Sequence, residues 1–369
     1  MSIDRTDRIR SRLGELGRLA FGYGIAAAAG YGASRIHLPL AWVLGPLVAA
    51  AAFGIGGVRL PAPLVMRRAG QLIIGSTVGL SMTSAVVTGL AAWLPLMLGT
   101  ALLSILVSAT FSTLLARIAR IDGKTAFFCV LPGGLAEMGN IGASIGAQME
   151  PVALIQALRV AMVVLLIPPL MVAHGLYQAP DAIPDLAPEF VALVMCVGLG
   201  GALLAWIVRF NNPWMVGALI AVGILTALEV ADGGMPQPLF AFGQILIGYN
   251  IGTRFKRSAL RKLPRVAAVA IGIILLMVLV MALYALGLSH IFEMDFAVAI
   301  LSASPGGTAE MAATAQILHL PVALITAFHV VRAVLVNGFA TYYWRGLTAI
   351  GYLPALERLL NRSNRSWGE

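Results

Sequence analysis

A seven-residue phrase, PGGLAEM from Pro132 to Met138, returns as PGGTAEM from Pro305 to Met311, 173 positions later. A duplication this long constrains the fold strongly, because whatever one copy builds the other must build again. Three more anchors keep the same order. PVALI occurs at Pro151–Ile155 and at Pro321–Ile325. Trp42-Val-Leu-Gly45 answers to Trp214-Met-Val-Gly217, and Gly70-Gln71 followed by Gly75 and Gly79 answers to Gly243-Gln244 followed by Gly248 and Gly252. The offsets drift between 170 and 173, as small loop insertions would cause.

The repeated unit is apolar throughout. Hydrophobic residues make up 59% of the 369 and charged residues 11%, far from the roughly 25% charged expected of a soluble domain. A mean hydropathy of +0.90 over the whole chain excludes one anchor carrying a soluble domain. The net charge of +9 does not point to nucleic acid. Its basic residues form short clusters between apolar stretches, at Arg5–Arg18, Arg59–Arg68, Arg117–Lys124, Arg254–Arg265 and Arg345–Arg365, the pattern of cytoplasmic loops. Cys129 and Cys196 lie in apolar segments outside any motif, so both are read as small core residues and no metal site or cofactor is expected. The N-terminus lacks an Ala-x-Ala cleavage signal and reads as a retained cytoplasmic end.

At about 20 residues per spanning helix, each copy divides into six segments: 15–35, 39–57, 66–82, 88–116, 125–147 and 151–174, then 188–208, 213–230, 238–253, 265–287, 295–317 and 321–344. The positive-inside rule sets their orientation. After the second segment the first copy has Arg59, Arg67 and Arg68, the second only Asp232; after the third, the first has no basic residue before Gly89 while the second has six from Arg254 to Arg265. Equivalent loops therefore fall on opposite faces, which requires an odd number of crossings per copy. The fold class expected is all-α integral membrane, two inverted-topology repeats of five transmembrane helices plus one re-entrant hairpin each, about ten spans. The boundaries are a cytoplasmic segment 1–14, repeats 15–174 and 188–345, a periplasmic linker 175–187 and a cytoplasmic tail 346–369, placing both termini inside the bacterial inner membrane.

The hairpins concentrate the candidate chemistry. Pro132 and Pro305 stop a helix; Gly133, Gly134, Gly306 and Gly307 permit close approach; the restarting helix then points free N–H groups at the break, a natural anion site. Glu137 and Glu310 sit near the third position of the restarted helices, as helix caps or as acids coupling to H⁺ or Na⁺. Arg159, His329 and Arg332 lie deep in the sixth segments, where they would pair with those acids or bind an anionic solute; the PVALI match sets Arg159 opposite His329. Gln71, Gln244 and Asn250 are amides among the glycines of the third segments, whose Gly-x-x-x-Gly spacing suits helix contact. Asn140, Thr308 and Ser144 rank second as cation ligands. Trp42, Trp93 and Trp214 read as interface or packing aromatics. No Walker loop, Gly-x-Ser-x-Gly elbow or metal-ligand spacing occurs, so no enzyme is expected.

The duplicated PGGxAEM and PVALI, each preceded by Gly-Gln-x-x-x-Gly, resemble the AbrB-type membrane protein family of Gram-negative bacteria over about residues 15–345. Members carry the labels ammonia monooxygenase or AbrB transcriptional regulator; the sequence has neither copper or iron ligands nor a DNA-binding domain to match them. The layout is also similar to inverted-repeat secondary transporters with broken helices. The resulting expectation is a secondary transporter of a small solute, an organic anion first, coupled to H⁺ or Na⁺ by alternating access. Its partners would be that solute, the lipid bilayer and a second copy in a homodimer, as in comparable architectures, with no nucleic acid. The other reading is a membrane-embedded regulator or membrane enzyme without transport.

Overall fold

Every break in helix follows a Gly, a Pro or a cap, and the chain between them is helical. The computed structural model describes residues 3–177, 184–231 and 233–356; Asp232, linker positions 178–183 and the tail beyond 356 lie outside them. In chain order the helices are α1 (Ile3–Arg35), α2 (Ala41–Gly56), α3 (Leu64–Gly79), α4 (Ser84–Ala119), α5 (Gly123–Val130), α6 (Leu135–Ser144), α7 (Met149–Ala173), α8 (Pro188–Ile207), α9 (Pro213–Ala227), α10 (Gln237–Gly252), α11 (Arg257–Lys262), α12 (Pro264–Ile291), α13 (Phe296–Ala303), α14 (Thr308–Ile317) and α15 (Val322–Ala349). The expected segments recur with shifts of a few residues. The exception is the start: α1 runs back through the 1–14 segment to Ile3, a stretch with four Arg and one Leu, good helix formers, and no Pro.

The duplication is written in the backbone as well as in the sequence. Positive-φ residues fall in pairs at the repeat offset: His37 with Arg209, Leu40 with Asn212, Gly57 with Glu229, Arg120 with Glu293 and Gly146 with His319. These conformations are uncommon for non-glycine residues, so five matched pairs mean that both copies turn in the same places. At Gly57 the turn is a Schellman cap, with Gly57 N–H on Gly54 O and Val58 N–H on Phe53 O, which satisfies carbonyls the end of α2 leaves open.

Among the described residues, five helices are long and apolar enough to cross a membrane: α4, α7, α8, α12 and α15. α2 and α9 are shorter apolar helices. Only 17% of the apolar window of α8 is buried, and Leu199, Leu203, Leu204 and Trp206 stand exposed on it. Along α12 the same holds for Ile271, Leu275, Leu279 and Leu283. Apolar surface this continuous is stable against lipid and not against water; the chain is a membrane protein. Cys196 lies exposed on α8 while Cys129 is buried, which corrects the expectation that both are core residues: α8 buries too little of its circumference to enclose it.

The chain divides into two compact units that each draw on both copies, one from 1–81 and 181–260 and the other from 82–180 and 261–369. In the first unit, α1 packs on α2 and α8 on α9, while α3 packs on α9 and α10 on α2. The glycines make that exchange possible. A Cβ on Gly75 or Gly79 would strike Met215 or Val222 of α9, and on Gly248 or Gly252 would strike Val43 or Leu47 of α2, as expected of small-x-x-x-small contacts. α3 and α10 cross at Gly70, whose side-chain space is filled by Leu246, Ile247 and the carbonyl of Gly243. Trp214 packs under the guanidinium of Arg68, 5.0 Å from ring centroid.

The second unit repeats the exchange. α4 packs on α15 and α12 on α7, α6 touches α15 and α14 touches α7. Contacts that come in reciprocal pairs are what a two-fold relation between the copies within the unit requires. Its core gathers Phe127, Phe128, Met138, Ile155, Met277 and Val336. Hydroxyls along α4 are satisfied internally, Ser104 on Ala101 O, Ser108 on Ser104 O and Ser112 on Ala109 O, the usual recourse of Ser in apolar surroundings.

Candidate functional site

Each PGGxAEM phrase divides a helical stretch in two. α5 has 8 residues and α6 has 10, so neither arm exceeds about 15 Å, half of a hydrocarbon core of about 30 Å. The first pair of arms doubles back. Asp122 caps the start of α5 by accepting from Thr125 N–H at 2.8 Å and Thr125 Oγ1 at 2.6 Å. Gln148, past the end of α6, donates through Nε2 to Asp122 at 3.2 Å and through its backbone N–H to Thr125 Oγ1 at 2.9 Å. Start and finish of the segment are thus hydrogen-bonded to each other. Partial burial pushes the Asp122 carboxyl up, but the bonds from Thr125 and Gln148 outweigh it and hold the group below the ordinary aspartate range.

The motif follows from what fills the break. After Pro132 the chain turns with Gly133 N–H on Leu131 O at 2.8 Å. A Cβ on Gly133 would collide with Met138, and one on Gly306 with Met311; a Cβ on Gly134 would collide with the Glu137 carboxylate, and one on Gly307 with that of Glu310. In Pro-Gly-Gly-x-Ala-Glu-Met the first glycine makes room for the methionine and the second for the glutamate, which folds back over the N-terminus of its own helix. Glu137 and Glu310 are both in the first turn, of α6 and α14, where a negative charge meets the positive helix end. Glu137 Oε2 is buried without a hydrogen-bond partner.

A helix that stops inside a protein leaves its last carbonyls open. Two cations from the long helices close them. Arg159 on α7, 1% exposed, donates to Leu131 O at 2.9 Å and Gly133 O at 3.2 Å. Arg332 on α15, 4% exposed, donates to Ser304 O at 2.6 Å and Gly306 O at 2.7 Å. Both arginines thus sit at the negative helix ends of α5 and α13, and the charges of Arg332 and Glu310 also act on Arg159. Carbonyls 131 and 133 lie 173 residues before 304 and 306, so Arg159 corresponds to Arg332. This corrects the pairing of Arg159 with His329 suggested by PVALI. α7 starts two residues ahead of Pro151 and α15 directly after Pro321, so that phrase is slipped by three positions against the structural register.

The true counterpart of His329 is Gln156. Gln156 Nε2 donates to Phe128 O at 2.8 Å and Leu131 O at 2.9 Å; His329 Nε2 meets Leu301 O at 2.8 Å and its Nδ1 meets Arg332 at 2.8 Å. Asn337 on α15 accepts from the N–H of Gly134 at 3.1 Å; 173 residues earlier stands Val164, which has no acceptor. Gln156 and Asn337 escaped the sequence reading, although an amide inside an apolar span is itself a signal, because the wrong register hid what they answered to.

The second unit thus gathers Pro132, Gly133, Gly134, Glu137, Arg159, Pro305, Gly306, Gly307, Glu310, His329 and Arg332, with Thr308 half-buried at the start of α14. Asn140 is exposed, and the exposed Ser144 donates to Ile141 O, so neither joins the buried groups at the breaks. Gln71, Gln244 and Asn250 belong to the other unit. There Gln244 is 2% exposed with Oε1 unpartnered, and Asn250 Oδ1 accepts from Arg254 at 3.3 Å. Among the described residues no group of three or more His, Cys, Asp and Glu could hold a metal ion.

The protein of Escherichia coli (strain K12) named Putative regulator AbrB is 29% identical over 306 residues, covering 80% of this chain and 87% of its own. Uncharacterized protein YhjN of Bacillus subtilis (strain 168) is 27% identical over 355 residues, 87% of this chain and 91% of its own, which carries the likeness beyond Gram-negative bacteria. The family described as Transition state regulatory protein AbrB matches residues 42–347, and the chain belongs to that family.

Proposed function

We propose that this membrane protein is a secondary active transporter of a small organic anion, coupled to H⁺ or Na⁺ by alternating access. It would sit in the bacterial inner membrane as two inverted repeats with both termini cytoplasmic. The observation that carries the reading is the pair of broken helices with their carbonyl ends closed by buried arginines. Non-helical backbone at membrane depth is tolerated only inside protein or along a watered cavity, and transporters place substrate and ion at such breaks. The N-terminal ends of α6 and α14 attract negative charge, and each already holds a glutamate. When ionised, Glu137 and Glu310 compete with an anionic cargo for those ends; when neutralised by a proton or a cation, they cease to compete. Cargo and coupling ion would therefore enter together.

Purified protein in proteoliposomes, offered labelled carboxylates and phosphates under an imposed pH or Na⁺ gradient, tests this. Gradient-driven uptake that is lost in Glu137→Gln or Glu310→Gln supports it. Uptake unchanged in both variants removes the coupling role, and absence of flux for every anion would favour a membrane-embedded regulator, the word in the name of the Escherichia coli relative.

A further inference from the structure

The two breaks are closed by different chemistry, and only one closure can titrate. Arginine has no acceptor, so His329 Nδ1 must accept from Arg332 in their 2.8 Å contact, and the ring proton must sit on Nε2, donated to Leu301 O. His329 is 0% exposed and its neutral form has both nitrogens in use. From these contacts we infer that His329 is a proton-operated latch on the second hairpin: a proton taken up at Nδ1 expels the Arg332 guanidinium and releases the carbonyls of Ser304 and Gly306.

The proton comes from the aqueous phase, a new N–H bond forms at Nδ1, and the ring becomes an imidazolium with donors at both nitrogens. Two donors and two positive charges then face each other where one hydrogen bond stood, so Arg332 leaves and both carbonyls are left to water. Little nearby offsets the added charge. α13 presents the Leu301 carbonyl and has no titratable side chain, and α4 contributes buried serines. α14 carries Glu310 and α6 carries Glu137, each in its first turn, and Arg159 from α7 adds like charge to Arg332. In the first hairpin the same place is held by Gln156, which bonds the carbonyls through Nε2, leaves Oε1 unpartnered and has no proton equilibrium. One hairpin is fixed and the other is switchable.

The use of this latch for coupling rests on the transport reading; the latch itself does not, and its test needs no cargo. Hydrogen–deuterium exchange of the full-length protein, corrected for the chemical effect of pH, reads the amides at 302–311 and 129–138. Between about pH 7 and about pH 4, a window set below the ordinary histidine range because burial and the adjoining guanidinium disfavour the imidazolium, exchange at 302–311 rises on the order of tenfold in the native protein while 129–138 stays level. His329→Gln, which installs the side chain of the first copy, abolishes the rise, and Gln156→His confers it on 129–138, three residues before Arg159 as His329 is before Arg332. A native 302–311 segment indifferent to pH overturns the inference, as does a full response surviving in His329→Gln, which would assign the titration to Glu310. Absence of anion flux in proteoliposomes would remove the coupling role and leave the latch standing.

Discussion

The first and second helix breaks share a backbone design and differ in what holds them. In the first, Arg159 and Gln156 share Leu131 O, and Asn337 secures the N–H of Gly134 from the other copy. In the second, Arg332 alone holds Ser304 O and Gly306 O, with His329 leaning on it. Redundant amide bonds make one break robust, whereas the other depends on a single cation. After an internal duplication, function can be assigned to one copy while the other keeps the frame.

The comparison breaks most sharply at the arginines. Arg332→Ala orphans two buried carbonyls and His329 Nδ1, so unfolding in detergent should lose about 3–5 kcal/mol, at about 1–3 kcal/mol per buried group left unsatisfied. Arg159→Ala should lose less, about 1–3 kcal/mol, because Gln156 still serves Leu131 O; equal losses would contradict the proposed redundancy. Asn337→Val, which copies Val164, frees one N–H and should lower stability by about 1–2 kcal/mol, with faster amide exchange at Gly134 as the local readout.

The N-terminal caps of α5 and α13 differ in the same sense. Asp122 accepts three hydrogen bonds, whereas its counterpart Asp295 accepts one, from Ala297 N–H at 2.7 Å. Asp122→Ala should cost about 1 kcal/mol and Asp295→Ala less, by thermal unfolding. Because the Asp122 carboxyl is held low in the folded chain, its contribution is complete above the ordinary aspartate range and fades as pH falls through the depressed value; the gap between native and Asp122→Ala should close in acid. The smallest effect belongs to Lys262, whose contact with Glu150 is 3.9 Å long and exposed on both sides. Lys262→Ala should change stability by less than about 0.5 kcal/mol, a control for the measurements above.

Much of the fold was legible because its punctuation is local. Pro132 and Pro305 end helices for reasons within their own turn, and the glycines of the third segments announce close helix contact before any partner is known. The basic clusters and apolar runs delimit the helices to within a few residues. The site was only half legible. Glu137, Glu310 and the glycines could be read from their positions on restarting helices, but the role of the arginines could not, since the carbonyls they hold belong to a segment 26 to 29 residues away. The PVALI phrase misled because likeness of residues and likeness of position part company there: the loops before α7 and α15 are equal in length, and the phrase sits three positions later on the first copy's helix than on the second's.

By itself, the sequence determined that this chain is helical, apolar, duplicated and broken at two equivalent places, since each of these follows from residue type and spacing. Only the tertiary structure decided that Arg159 answers to Arg332 and Gln156 to His329, that Asn337 crosses between copies, and that each compact unit draws on both halves. Those facts depend on which groups meet after helices far apart in the chain have packed, and such meetings are set by the summed contacts of whole helix faces.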